Sequence, residues 1–364
     1  MRVIFCGGGT GGHVYPALAV ADALAREPND GLEALYIGSS AGAERDLVTR
    51  AGLPFRTVTA AAVRGRSPLG FAAGLTKLAQ GTFEARTLLR EFRPQAILTT
   101  GGYTGIPLAL AARSVGQVPL VVFLPDVRPG WAVRAMARLA RRVAVTSPHS
   151  LPFLPPDKAV VTGYPVRPTF WQATKAEGRR RLSLQDEERV LFIAGATHGA
   201  RTLNQIVAKH LSQILELCQL IHISGRGDHP WLEGLHQALP ERLRHRYHLH
   251  PYLYEDLPWA MAATDLAVMR SGASVMGELP ALGLPAVLVP YPYAGGHQRF
   301  NARYLADAGA ALVVENDKLN GFLPLVGELL ADEQRRAAMA EASRRLARPD
   351  AARDIARILL EAAR

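Results

Sequence analysis

Cysteine is nearly absent: Cys6 and Cys218 are the only two among 364 residues. That count excludes a multiply cross-linked secreted scaffold and a cysteine-rich zinc site, and it fits a reducing compartment. Long apolar runs are absent as well. A spanning helix needs about 18 uncharged apolar residues, and the nearest approach, residues 105–125, is interrupted by Arg113 and Gln117. The first residues carry one basic side chain and a very short apolar run that ends in glycines, unlike a secretory signal. A cytosolic chain is expected, with membrane contact, if any, at the periphery. Acidic residues are outnumbered, 32 Asp and Glu against 42 Lys and Arg, for a net charge of +10. Such a surplus favours anionic partners: nucleic acid, anionic lipid headgroups or phosphorylated small molecules. No nucleic-acid motif or stacking-aromatic platform accompanies it, so nucleic acid is not an expected partner.

What is present is a globular balance, 48% hydrophobic and 20% charged, in a length that suits two domains. Residues 2–6 form a short β-rich run that stops at glycines, and 15–26 read as a helix with Pro16 in its first turn. Further strands are expected at 33–39, 95–100 and 120–124. Apolar, barely alternating strands separated by helices indicate a parallel sheet covered on both faces. The pattern restarts near mid-chain with a strand at 189–194, a glycine turn at 195–199 and a helix at 202–217. Strands at 220–224, 267–270 and 286–289 follow. Residues 162–168, with two prolines and a glycine, read as a linker. The tail from 331 onward reads as helical. The fold class is therefore α/β, with two doubly wound, Rossmann-like parallel-sheet domains.

Gly7-Gly8-Gly9-Thr10-Gly11-Gly12 satisfies G-x-G-x-x-G between a strand and a helix. Its backbone N–H groups suit an anion. A dinucleotide reading needs an acidic residue at the end of the second strand, and that strand ends Ile37-Gly38-Ser39-Ser40 without one. Two further loops of the same kind follow strands, at residues 99–107 and 195–199. One such loop is ordinarily a tight turn. Three at strand C-termini mark the sheet edges where open α/β folds bind ligands. Two domains facing across such edges would form a cleft for a phosphorylated ligand.

Taken together, these segments resemble the GT-B glycosyltransferases of family 28. The resemblance rests on residues 8–16, Gly101-Gly102-Tyr103, the 195–199 turn followed by Ala200-Arg201-x-Leu203-Asn204, and Pro165-Val166-Arg167. It also rests on Arg270-Ser271-Gly272-Ala273 with Glu278-Leu279, on Gly283-Leu284-Pro285-Ala286, and on His297-Gln298-x-x-Asn301-Ala302. It runs essentially end to end. It implies an inverting transfer of N-acetylglucosamine from UDP-GlcNAc to the muramoyl 4-hydroxyl of lipid I, a polyprenyl-diphosphate-linked muramoyl-pentapeptide. The product is lipid II, used in peptidoglycan synthesis and hence in cell-wall growth, cell shape and division. The implied domains are 1–163 on the acceptor and membrane side, 164–340 for the UDP-sugar, and a terminal helix over 341–364 packing back on the first domain.

The resemblance implies donor contacts at Arg167, Gly195, Thr197, Tyr254, Ser271, Gly272, Ala273, Ser274, Glu278, His297, Gln298 and Asn301. The 271–274 turn would bind the diphosphate through N–H groups, without a metal or other cofactor. Glu278 would accept the ribose hydroxyls, and the amides of Gln298 and Asn301 would meet the sugar. Tyr254 falls where the family's backbone reads the uracil edge. Gly8, Thr10, Gly11, Gly12, Gly101, Gly102 and Tyr103 would meet the acceptor diphosphate. His13 is the candidate general base, because an imidazole suits proton abstraction near neutrality; the alternative is a histidine that caps the loop.

Some positions depart from the family pattern. Its His-Glu-Gln-Asn run is replaced by Leu124-Pro125-Asp126-Val127, so Asp126 becomes a second candidate base or orienting carboxylate, against the alternative of a turn-forming aspartate. His198 stands for a family Gln and Tyr164 for a family Asn, and Pro280 is expected to kink or shorten the helix that carries Glu278. Alternatives at this point are a related transferase with another lipid acceptor, an isomerase resembling the UDP-GlcNAc 2-epimerases, and a catalytically inactive scaffold in a cell-wall complex, which the intact glycine loops and Glu278 speak against. Arg64, Arg66 and Lys77 interleave with Leu69, Phe71, Leu75 and Leu78. Arg134, Arg138 and Arg142 at i, i+4 and i+8 read as one helical face beside Trp131, Ala135 and Leu139. Both patterns suit an anionic membrane surface, and the expected location is the cytoplasmic face of the cell membrane, peripherally bound.

Overall fold

A computed structural model describes residues 1–8, 11–27, 31–39, 44–60, 68–195, 201–293 and 296–364, with backbone alone at 68–70. The chain divides into two units, Met1–Arg167 with Arg348–Arg364, and Pro168–Ala347.

In the first unit β1 (Arg2–Cys6), α1 (Gly11–Arg26), β2 (Glu33–Gly38), α2 (Glu44–Arg50), β3 (Phe55–Thr57) and α3 (Pro68–Phe92) come first. β4 (Ala96–Thr99), α4 (Gly105–Ser114), β5 (Leu120–Leu124), α5 (Trp131–Leu139), β6 (Arg142–Val145) and β7 (Ala159–Val161) complete its sheet. The order is β3-β2-β1-β4-β5-β6-β7, parallel at every pairing. Its central strands are apolar without alternation because both faces are covered: all of β4 and β5 is buried.

The second unit opens with two short helices, α6 (Thr169–Gln172) and α7 (Lys175–Arg181). β8 (Val190–Ala194), α8 (Arg201–Leu217), β9 (Gln219–Ile223), α9 (His229–Ala238), α10 (Glu241–Arg244) and β10 (Tyr247–His250) follow. Then come α11 (Leu257–Ala262), β11 (Leu266–Met269), α12 (Val275–Leu282), β12 (Ala286–Leu288), α13 (His297–Asp307) and β13 (Ala311–Val313). α14 (Phe322–Ala331) and α15 (Glu333–Arg345) close this unit, and α16 (Ala351–Ala363) lies against α1, β4, β5 and β6 of the first. The second sheet runs β10-β9-β8-β11-β12-β13, again all parallel.

In both sheets the strand order reverses beside the first strand: β1 lies between β2 and β4, and β8 between β9 and β11. Ligand crevices of open α/β sheets form at such reversals, outside the strand C-termini. The described residues after β1 and β4 (7–8 and 100–104) and those after β11 (270–274) occupy those two places.

Two readings need correction. Arg142 does not continue the helical face of Arg134 and Arg138, because α5 ends at Leu139 and Arg142 opens β6. The Arg-Val-Ala-Val run there carries two β-branched residues and pairs with β5 and β7. Pro16 is the sixth residue of α1 and lies inside the helix, not in its first turn. Arg64 and Arg66 fall outside the described residues. No helix among the described residues is long and apolar enough to cross a membrane.

Candidate active site

In the first unit two glycine loops meet where β1 and β4 end. The backbone N–H of Thr100 donates to the Cys6 carbonyl at 2.8 Å, extending the β1–β4 pairing by one step. Thr100 and His13 then clamp each other: the Thr100 hydroxyl donates to the His13 carbonyl at 2.7 Å, and His13 Nδ1 lies 2.7 Å from the Thr100 carbonyl oxygen. A carbonyl only accepts, so Nδ1 carries the hydrogen and the lone pair of the neutral ring sits on Nε2. His13 is thereby held in the tautomer of a proton acceptor. Gly102 has φ of 83° and passes so close to the other loop that a Cβ there would lie 3.2 Å from the Gly8 nitrogen. Glycine satisfies both demands.

Tyr164, the departure noted in the sequence, has a role here. Pro16 has no N–H to give the Gly12 carbonyl four residues back. The buried Tyr164 hydroxyl donates to that carbonyl instead, at 3.0 Å. Tyr36 donates to the Gly7 carbonyl at 2.6 Å. Glu44, which sequence reasoning missed, is 1% exposed; its Oε1 accepts from the Ser39 amide at 2.8 Å and hydroxyl at 2.6 Å. The second strand thus does acquire a carboxylate at its end, reached back from α2, although that oxygen is already bound to Ser39. Spacing alone could not show this, because the contact is tertiary.

His13, Gly8, Gly11, Gly12, Gly101 and Gly102 therefore gather around the β1 and β4 termini. Tyr103 is half exposed beside them. Asp126 is half-buried in the loop after β5. Thr10 lies outside the described residues. Arg167 belongs to the first unit, its guanidinium 4.5 Å from the Tyr15 ring centroid.

In the second unit the candidate donor residues follow β8, β11 and β12, except Tyr254, which follows β10. Gly195 follows β8 directly, and Thr197 and His198 lie outside the described residues. Ser271 follows β11 and is knotted to α13. Its hydroxyl donates to the Gln298 carbonyl at 2.9 Å, and its own carbonyl accepts from Asn301 Nδ2 at 3.1 Å. Asn301 is fully buried, so its amide braces the turn from beneath. Gln298 Oε1 accepts from the Tyr291 amide at 2.9 Å, which leaves the side-chain NH2 as its donor for a ligand. Gly272, Ala273 and Ser274 lead into α12 half-exposed, and Glu278 stands in its first turn, 5% exposed. The helix passes through Pro280, ends two residues later at Leu282 and is capped by Gly283, left-handed at φ of 60°. His297 opens α13 behind left-handed Gly296. Tyr254 packs its ring on Tyr252, and its hydroxyl accepts from Arg226 at 2.7 Å.

Among the described residues no group of His, Cys, Asp and Glu is arranged to hold a metal. The chemistry on offer is N–H donors at two helix starts, a buried carboxylate on the second, and an oriented imidazole on the first.

Residues 3–145 match the glycosyltransferase family 28 N-terminal domain, and 190–355 match the family 28 C-terminal domain. A UDP-N-acetylglucosamine–N-acetylmuramyl-(pentapeptide) pyrophosphoryl-undecaprenol N-acetylglucosamine transferase from Roseiflexus sp. (strain RS-1) is 43% identical, over 99% of this chain and 94% of its own. One of the same name from Moorella thermoacetica is 40% identical, over 94% of each chain. The crystal structure of Acinetobacter baumannii MurG superposes with a TM-score of 0.76 at 27% identity, over 99% of both chains. A UDP-GlcNAc 2-epimerase from Neisseria meningitidis, with UDP-GlcNAc bound, superposes at 0.69 with 16% identity over 99% of this chain and 100% of its own, a likeness of fold alone.

Proposed function

The chain belongs to glycosyltransferase family 28, and from that premise we propose that it moves N-acetylglucosamine from UDP-GlcNAc to lipid I, giving lipid II for peptidoglycan synthesis. The observation that carries this reading is 43% identity to a transferase of that name across nearly the whole of both chains. An isomerase shares the fold at 16% identity, which argues for architecture and not for activity.

The donor diphosphate binds at the 272–274 turn, where N–H groups and the start of α12 favour negative charge. Glu278 accepts the ribose hydroxyls, Gln298 offers its NH2 to the sugar, and Asn301 keeps the Ser271 turn in place. The acceptor diphosphate meets the loops at 8–12 and 101–103. The muramoyl hydroxyl attacks the anomeric carbon as the bond to UDP breaks on the opposite face, with inversion and an oxocarbenium-like transition state. His13 Nε2 takes the hydroxyl proton, and UDP leaves as the anion that the N–H groups stabilise. Asp126, in place of a family segment near the acceptor, orients that hydroxyl. The same change favours a second reading in which another lipid replaces lipid I.

Peripheral attachment to the cytoplasmic membrane face suits a prenyl-linked acceptor. Phe71 and Leu75 are exposed on α3 beside Lys77, and Phe153 is exposed between the guanidinium groups of Arg128 and Arg134, 5.3 and 5.6 Å from its ring. Basic side chains flanking apolar ones bind anionic lipid surfaces.

The test is UDP release from UDP-GlcNAc with and without a prenyl-diphospho-muramoyl-pentapeptide analogue. Release should require the analogue. His13→Ala should cut the rate by about 10²–10⁴-fold, the range of a lost general base. Glu278→Ala should lower donor kcat/KM by about a hundredfold, as for a lost charged hydrogen bond. Acceptor-independent consumption of UDP-GlcNAc would sink the transferase reading. UDP-GlcNAc binding without turnover on the analogue would move the acceptor to another lipid.

A further inference from the structure

At the other edge of the second sheet, by the N-terminal ends of its strands, a cavity of about 430 Å3 opens. Its walls include Asp265, just before β11, the 283–285 turn before β12, Lys175 of α7, and the face of α15 that carries Arg336 and Arg344. None of the residues proposed for transfer lines it.

Its four cations, Lys175, Arg189, Arg336 and Arg344, face two carboxylates, and both carboxylates are already bound. Asp265 holds Lys175 at 2.5 Å and Arg179 at 3.1 Å, and also accepts from the Val190 amide at 2.8 Å. Glu333 pairs with Arg189 at 3.2 Å. Arg336 and Arg344 are the surplus.

Arg336 is 5% exposed. Its Nη1 donates to the Leu329 and Leu330 carbonyls at 2.6 and 2.5 Å, closing the end of α14. Its Nε and Nη2 donors find no acceptor among the described residues. Burial pushes this guanidinium below the ordinary arginine pKa, and neighbouring Arg189 adds to the effect. Among the described residues Arg344 has only a long exposed pair with Glu341 at 3.6 Å. It reaches the cavity by lying across Gly283, where a Cβ would stand 2.5 Å from Arg344 Nε. No Arg336 nitrogen is both sealed from solvent and without a partner, so Nε and Nη2 stay accessible from the cavity, where an oxyanion would meet them with charge-assisted hydrogen bonds. Two guanidinium groups suit a phosphate, with its several acceptor oxygens. The volume falls within the range of small-molecule sites, and Met261, Leu284 and Ala337 add an apolar wall suited to an organic body.

We propose that this cavity binds a small organic phosphate, with Arg336 and Arg344 gripping the phosphate and the apolar wall covering the organic part. The proposal needs only the second unit and is independent of the acceptor reading.

The test is calorimetry on the full chain, first titrated to saturation with UDP so that the donor face is filled. Ribose 5-phosphate and inorganic phosphate are then added separately. Ribose 5-phosphate should bind one to one, at least about tenfold tighter than inorganic phosphate. Arg344→Glu, on the exposed rim, should weaken it about tenfold or more while UDP affinity stays within about twofold, which reports an intact fold. Arg336→Gln should do the same where it folds. No heat beyond dilution on the UDP-saturated chain would overturn the site, as would unchanged affinity in Arg344→Glu. Equal affinity for the two probes would overturn the organic ligand.

Discussion

His222 has no room for a second proton. The Nδ2 of Asn204 donates to the Ser224 carbonyl and to Asp228, each at 2.8 Å, so Asn204 Oδ1 must face the imidazole. His222 Nε2, 2.9 Å from that oxygen, therefore carries the hydrogen, and Nδ1 accepts from the Tyr247 hydroxyl at 2.9 Å. Complete burial pushes the pKa down to about 3, against the pull of Asp228. The unfolded chain binds this proton near pH 6.5, so the contribution to stability is whole above that pH and is lost as pH falls toward about 3. Burial pushes His248 down to about 4, with the same sign. His222→Leu should be less stable than the parent near neutrality, because it strands Asn204 Oδ1 and the Tyr247 hydroxyl. The gap should then narrow by up to about 1.4 kcal/mol per pH unit between roughly pH 6.5 and 4. Urea melts at about pH 7.5 and 4.5 measure it, and a constant gap would show that His222 does not stay neutral.

At the scale of one element, α1 shows how a sequence feature and its compensation lie far apart. Pro16 orphans the Gly12 carbonyl, and Tyr164 answers it from 152 residues away. Tyr164→Phe keeps the ring against Phe123, whose centroid is 5.9 Å away, and removes only the donor. It should cost about 1 kcal/mol and lower transfer, because the turn it braces carries His13. Pro16→Ala in the same chain restores an amide at that place and should recover most of the loss; strict additivity in the double-mutant cycle would refute the pairing. The same element shows what the sequence disclosed. β1 and β5 fall on the residues expected, 2–6 and 120–124, because each is an apolar run closed by glycine or proline. α1 begins four residues earlier than its apolar pattern, since glycines give no periodicity to read. β3, β7 and β13 are three residues each and only partly buried at sheet edges, so no continuous apolar run marks them, whereas the equally short but fully buried β12 falls where a strand is expected. Regular arginine spacing concealed the start of β6. The glycine loops, His13, Ser271 and Glu278 were legible as strand-to-helix turns. The supports beneath them, Glu44, Tyr36 and Tyr164, were not, because each acts through a contact that exists only after folding.

At the scale of the whole molecule, the chain enters the second unit after Arg167 and leaves it after Ala347, so its last residues complete the first unit. Arg348 lies against Gly163, left-handed at φ of 87°, where a side chain would collide with it. α16 then buries Ile355, Ala356 and Leu359 completely, and the Ala362 carbonyl accepts from Arg141 at 3.2 Å. Burying a large aliphatic side chain is worth about 1.5–3 kcal/mol, so Ile355 and Leu359 together contribute about 3–6 kcal/mol to the first unit. That is a large fraction of the stability of an ordinary domain. A chain ending at Ala347 should therefore loosen the unit that lies far from the cut in sequence and spare the one beside it. Hydrogen exchange reads the difference directly: amides of β4, β5 and α1 should exchange faster, while those of β8, β9 and β11 keep their protection. Faster exchange confined to the second unit would mean that α16 stabilises the sheet it follows in sequence and not the sheet it covers.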